Sequence, residues 1–210
     1  MNTSKPAGVI LAGGRSSRMA VAHKALVSLH GGSLISHVIN RFKPQLGLLL
    51  LSTESTGEEF SGFDLPVVPD LMPRHRGPLT GLCSALQYLA DARLSCGLIL
   101  CPCDAPFVPL DLGQRLLAAA GADPSPVVVC SYGGVLQPTF SLWQTHHLAF
   151  IHEAVVNQGQ GGLKHMFNDL PHTVVEWAPA EPPPFFNVNT IDELNTAAAW
   201  LDRPPASQDD

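Results

Sequence analysis

Basic charge is scarce in this chain and nowhere concentrated. Lys and Arg together number 12 of 210 residues against 18 Asp and Glu, for a formal net charge of -6. A protein that grips nucleic acid needs a basic patch against the phosphate backbone, and the scattered cations here form none. Anion binding must rest instead on a few placed side chains, backbone N–H groups and metal. Charged residues of both signs amount to only 14%, which suits a buried sheet better than a solvated helical bundle. No stretch approaches the ~18 consecutive apolar residues of a membrane span. The opening Met1-Asn2-Thr3-Ser4-Lys5-Pro6 lacks the shape of a signal peptide, so a cytoplasmic location is expected. The five cysteines (Cys83, Cys96, Cys101, Cys103 and Cys130) are odd in number and sit in apolar segments. They read as buried thiols in a reducing compartment rather than a disulfide framework. A G-x-x-x-x-G-K-[ST] loop, a G-x-G-x-x-G turn and a G-x-S-x-G elbow are all absent, which excludes a P-loop NTPase, a standard dinucleotide binder and a hydrolase elbow.

What is present is an alternation of short apolar runs with segments of helical period, in a chain that is 45% hydrophobic. Strands are expected at Ala7–Ala12, Leu46–Ser52, Leu65–Val68, Cys96–Cys103, Val127–Ser131 and Leu136–Leu142, with Thr173–Trp177 as an edge strand. Helices are expected around Leu34–Phe42, after Gly77-Pro78, over Leu112–Ala120, over Gln144–Gln158, near Leu163–Phe167, and from Thr190 to about Leu201. Thr190-x-x-Glu193 has the form of a capping box. Residues 1–203 are expected to form one domain and 204–210 a disordered tail. The rhythm implies an α/β domain with a mainly parallel sheet covered by helices on both faces. Ligands of such folds sit beyond the carboxyl ends of the strands, so the loops after Ala12, Val68 and Cys103 are where chemistry is sought.

The first of these loops is Leu11-Ala12-Gly13-Gly14-Arg15-Ser16-Ser17-Arg18-Met19, with Lys24 beyond it. Two glycines let the backbone approach a phosphate, and Arg18 and Lys24 can neutralise it. The alternative is a tight turn with two solvent-facing cations. Asp104 follows an apolar strand in Cys101-Pro102-Cys103-Asp104-Ala105-Pro106. It is a candidate Mg²⁺ ligand, or otherwise a turn residue satisfying backbone donors. Asp70, before Gly77-Pro78-Leu79-Thr80-Gly81, can accept from a purine or ribose donor or close a turn. Asn187 and Asn189 flank Val188 and point the same way if the segment is extended. His146, His147 and His152 lack carboxylate or thiol partners at helical spacing and read as a solvated face rather than a metal set.

Taken in order, Leu11-Ala-Gly-Gly-x-x-x-Arg18-Met19, Lys24, Asp70, Gly77-Pro-Leu-x-Gly81, Pro102-Cys-Asp104-x-Pro106, Gln137-Pro138 and Asn187-Val-Asn189-Thr190 resemble the molybdenum cofactor guanylyltransferase family. The resemblance runs from Val9 to Leu201. It implies a three-layer α/β/α Rossmann-like nucleotidyltransferase fold and transfer of GMP from Mg²⁺-bound GTP to the terminal phosphate of molybdopterin, releasing pyrophosphate. By the same resemblance Leu11, Ala12, Gly13, Gly14, Lys24, Asp70, Gly77 and Asp104 bind the nucleotide, with Asp104 carrying Mg²⁺. Arg18, Lys24 and Asp104 are then the catalytic set, and Asn187 and Asn189 face the pterin. Transient contact with molybdenum cofactor proteins is implied as well. Related alternatives are a cytidylyltransferase of the same chemistry and a binding relative without turnover. The chain departs from the family pattern at Ala20 for Gly, His23 for Asp, Glu54 for Asn and Arg74 for an acidic residue. His23 thereby removes a negative charge beside the expected triphosphate.

Overall fold

The computed structural model describes residues 5–13, 19, 23–54, 56–70, 77–121 and 126–203. Gly14, Arg18, Ala20, Arg74 and the tail 204–210 lie outside the described residues.

Strand β1 (Ala7–Leu11) pairs in parallel with β4 (Leu48–Thr53) on one side and β6 (Leu98–Pro102) on the other. β5 (Val67–Pro69) extends the sheet in parallel beyond β4. β8 (Val135–Trp143) runs antiparallel against β6 and against β7 (Val127–Tyr132), and β9 (His172–Trp177) pairs in parallel with β7 at the far edge. The order is β5-β4-β1-β6-β8-β7-β9, so β8 alone runs against the other six strands. A second, two-stranded ribbon joins β2 (Ser28–Leu29) to β3 (Gly32–Ser33). It was not expected from the sequence, because two residues per strand give no periodicity to read.

The central strands β1 and β6 carry only apolar residues because both faces of the sheet are covered there. Alternate side chains enter different cores. Val9, Leu50, Leu98, Leu100, Val127 and Val129 pack with α2 (Pro78–Asp91) and α4 (Leu148–Val156). Ile10, Leu49, Leu51, Ile99, Cys101, Val128 and Cys130 pack with α1 (Leu34–Phe42) and α3 (Leu112–Ala120). The expected three layers follow from this period of two. A short helix α5 (Met166–Asp169) lies under the first core, and α6 (Ile191–Leu201) closes a third, small one around Leu29, Leu34, Phe107 and Val188.

Helix starts follow their cap chemistry. Ser33 and Ser36 exchange side chain-to-backbone bonds of 3.3 and 2.8 Å at the head of α1, an arrangement worth about 1 kcal/mol. Pro78 occupies the first turn of α2, where its missing N–H costs nothing. α3 ends at Gly121 as expected. Strands β4, β5 and β6 start later than expected, since Leu46, Gly47, Leu65, Pro66, Cys96 and Gly97 belong to connections, while β7, β8 and β9 each run a residue or two longer. The 144–158 helix is divided, with a tight turn at Thr145–His147 before α4. His147 is also not part of a solvated face. It is buried, and its Nδ1 accepts from the Gln144 N–H at 3.0 Å, capping that turn. His146 and His152 are exposed, and the described residues contain no cluster of three or more potential metal ligands. No described helix is long and apolar enough to cross a membrane.

Candidate active site

The parallel strands β1, β4, β5 and β6 present their carboxyl ends along one rim, and the expected residues gather there in two groups. The rim is knitted by the backbone. The Ala12 N–H donates to Ser52 O at 2.8 Å, the Cys103 N–H to Leu11 O at 3.2 Å and the Asp70 N–H to Thr53 O at 3.3 Å. These bonds continue the sheet past its formal ends and fix the three loops against each other.

The first group surrounds Gly13. A methyl group added there would lie 3.6 Å from Glu54 Cγ and 4.0 Å from Asp70 Oδ2. Ser52 donates its hydroxyl to Asp70 Oδ1 at 3.0 Å. Burial pushes the Asp70 carboxyl above the usual range; the Ser52 hydrogen bond pulls it down, and the nearby Glu54 charge pushes it up again. Gly81, in the first turns of α2, has no room for a side chain, since an added Cβ would stand 2.6 Å from Leu11 Cδ2 and 2.7 Å from Ser52 Oγ. This close approach packs α2 beneath the β1 turn.

The second group joins three segments far apart in sequence. Lys24, opening a single turn at Lys24–Leu26, donates to Asp104 Oδ2 and, at 2.6 Å, to Asn189 Oδ1. The Asp104 carbonyl accepts from the Val188 N–H at 2.8 Å, which straps residues 187–189 across the β6 loop. Asn189 Nδ2 reaches Asn187 O at 3.3 Å. Two oxygens here, Asp104 Oδ1 and Asn187 Oδ1, are buried without a hydrogen-bond partner. Orphaned acceptors of that kind are costly unless a donor or cation arrives.

Gly77 stands apart from both groups. Its φ of 141° suits glycine alone, and an added Cβ would sit 2.2 Å from Gly161 O, so its visible role is packing against the 161 loop. His23, just before Lys24, has Glu59 Oε1 3.6 Å from its Nδ1 and the edge of Phe60 beside it. An acid thus stands near this position although His replaces the family's Asp. Sequence reasoning passed over Ser52 and Glu59, and read Glu193 only as part of a capping box. Of the two passed over, Ser52 had a signal, the switch to Ser-Thr at the end of an all-Leu run.

The thiols beneath the site are buried and held in the neutral form. Burial pushes Cys103 up to about 12, with the adjacent Asp104 charge adding to the effect, and holds Cys101 well above its usual value. All five cysteines are free, as expected, and all but the half-buried Cys96 are buried.

A mainly parallel sheet covered on both faces, with a lysine, a carboxylate and two amides meeting at its carboxyl rim, offers the positioned charges that nucleotidyl transfer asks for. The profile of the MobA-like NTP transferase domain matches residues 8–174. The chain belongs to that family. It is similar to a molybdenum cofactor guanylyltransferase of Mesorhizobium japonicum, at 36% identity over 93% of this chain and 95% of the relative. It resembles another so named from Bradyrhizobium at 32% identity over 96% and 97%. Among solved structures, molybdopterin-guanine dinucleotide biosynthesis protein A from Archaeoglobus fulgidus superimposes with a TM-score of 0.72 at 19% identity, covering 92% of this chain and 97% of that one. That likeness bears out the fold.

Proposed function

We propose that the chain is a molybdenum cofactor guanylyltransferase, moving GMP from GTP to the terminal phosphate of molybdopterin with Mg²⁺. Full-length relatives carrying that name support the reading. The observation that carries it at the site is Lys24 placed between the Asp104 carboxylate and the Asn189 amide. Nucleotidyl transfer asks a protein mainly to position groups and to offset charge, not to supply a covalent nucleophile. An ammonium and a carboxylate on separate loops, with the thiols beneath them held neutral, suit that demand.

The residues fit a hard divalent cation. Asp104 offers a carboxylate oxygen, Oδ1, that is buried without a partner, and Mg²⁺ typically takes one or two carboxylates together with substrate phosphates. When bound there it supplies charge neutralisation to the phosphates. In the transfer an oxygen of the molybdopterin phosphate attacks the α-phosphorus of GTP. The bond from that phosphorus to the bridging oxygen breaks, and pyrophosphate leaves. Lys24, with Arg18 of the glycine loop, would offset charge on the departing group, and the glycines of that loop, Gly13 and Gly14, would let the phosphates approach, while Leu11 and Ala12, whose backbone belongs to the sheet edge, line the nucleotide from the strand end. Asp70 accepts from donors of the nucleoside beside Gly13, and Asn187 and Asn189 face the pterin. Cytoplasmic work and transient contact with molybdenum cofactor proteins belong to the same reading.

The test is to supply the purified protein with GTP, CTP, ATP or UTP in turn, with Mg²⁺ and molybdopterin, and to follow pyrophosphate release. Release with GTP well above the others is expected. Preference for CTP reassigns the chain to cytidylyl transfer, and binding of nucleotide without release makes it a binding relative.

A further inference from the structure

The strap 187–189 has no regular secondary structure, yet one of its side chains must meet Lys24 accurately. Its amino-terminal half is held by the Val188 N–H on Asp104 O at 2.8 Å. Its carboxyl-terminal half is held by Glu193, three residues into α6. A capping box ordinarily turns its glutamate back onto the N-cap residue. Here Glu193 reaches past the Thr190 cap to the residue before it. Its Oε2 accepts from the Asn189 N–H at 2.6 Å and from the Thr190 hydroxyl at 3.1 Å. The Thr190 hydroxyl in turn accepts from the Glu193 N–H at 3.2 Å, which fixes the glutamate's own position. The Asn189 side chain then shares Lys24 with Asp104. A continuous line of hydrogen bonds therefore runs from α6 through Glu193, Asn189 and Lys24 to Asp104.

We propose that Glu193 is a positioning residue for the transfer, holding Asn189 so that Lys24 stays shared between the strap and Asp104. This rests on the reading of the site as a nucleotidyltransferase centre. Preorganised side chains keep their geometry only when their supports are themselves fixed. The backbone amide of Asn189 is such a support, because pinning it sets where its side chain starts. Burial disfavours the charged Glu193 carboxylate, but hydrogen bonds from Asn189 and Thr190, with the Lys24 charge, hold it below the usual glutamate range. It is therefore an anion at neutral pH, as a charge-assisted acceptor should be.

The test is a double-mutant cycle. Pyrophosphate release with GTP is measured for wild type, Glu193→Ala, Asn189→Ala and the double variant, with Glu193→Gln as the conservative change. Glu193→Ala is expected to lower kcat about 10-fold, and Glu193→Gln, which can still accept both hydrogen bonds, to recover most of that loss. In the Asn189→Ala background, Glu193→Ala should cost less than about 2-fold more, because groups acting in series are not additive. Additive losses, or no recovery by Gln, overturn the proposal. Amide hydrogen exchange at Asn189 reads the same link without turnover. Protection should fall in Glu193→Ala and survive in Glu193→Gln, and unchanged protection in Glu193→Ala overturns the proposal even if wild type proves inactive. Absence of release from wild type alone would instead defeat the transferase reading.

Discussion

Asp104 and Asp70 are both carboxylates at strand ends, but their surroundings divide the labour. Asp104 gives one oxygen to Lys24 and leaves the other buried and unpartnered. Asp104→Asn should therefore lower Mg²⁺-dependent pyrophosphate release by about 100-fold or more, with circular dichroism unchanged. Asp70 is held above its usual range by burial, with Ser52 working against that and Glu54 with it. Ionising it thus costs more in the folded chain than in the unfolded one. Its favourable contribution is present below the ordinary aspartate range and is lost as pH rises through the raised value. Asp70→Asn should raise the melting temperature at pH 7 relative to wild type, while weakening GTP binding about 10-fold or more through loss of a charge-assisted acceptor. Cys103 should resist iodoacetamide in the native protein and react only on unfolding, as mass spectrometry will show, since its thiol is buried and pushed up to about 12. Asp104 and Asp70 were legible in the sequence because each follows an apolar strand. Glu193's reach to Asn189 was not, because a capping pattern says which turn it closes but not which neighbour it pins.

The helices were mostly legible because their apolar period and caps agree. Thr190 accepts from the Glu193 N–H as the motif suggested, and Thr190→Ala should cost about 1 kcal/mol in urea denaturation. The divided helix at Thr145–His147 was missed, since a buried histidine cap looks in sequence like any polar residue on an exposed face. The antiparallel direction of β8 follows from the two-residue Gly133-Gly134 connection to β7, which is too short for a crossover. Its register against β7 shifts between Val129 and Cys130, opposite the segment carrying Pro138. Proline cannot donate to a ladder, so the irregularity and the residue belong together. At the start of α2, Gly77 is needed for its φ and for the approach of Gly161 O. Gly77→Ala should destabilise the protein by about 2 kcal/mol or more, measured by the same denaturation.

Across the whole molecule, the sheet brings loops from opposite ends of the chain to one rim, and the sequence could announce only the order of those loops. Lys24 and Asn189 are 165 residues apart and meet at 2.6 Å. Residue spacing carries no trace of that contact, while the alternation of buried side chains between two cores made the three layers predictable. The central claim is that a triphosphate occupies the gap between the Gly13 turn and Asp104, with the nucleoside toward Asp70. Its most direct test is a crystal grown with GTP and Mg²⁺. The account predicts phosphate density within reach of Lys24, a metal on the Asp104 carboxylate and the nucleoside beside Asp70. Nucleotide bound away from this rim, with the Lys24–Asp104 pair undisturbed, would contradict it.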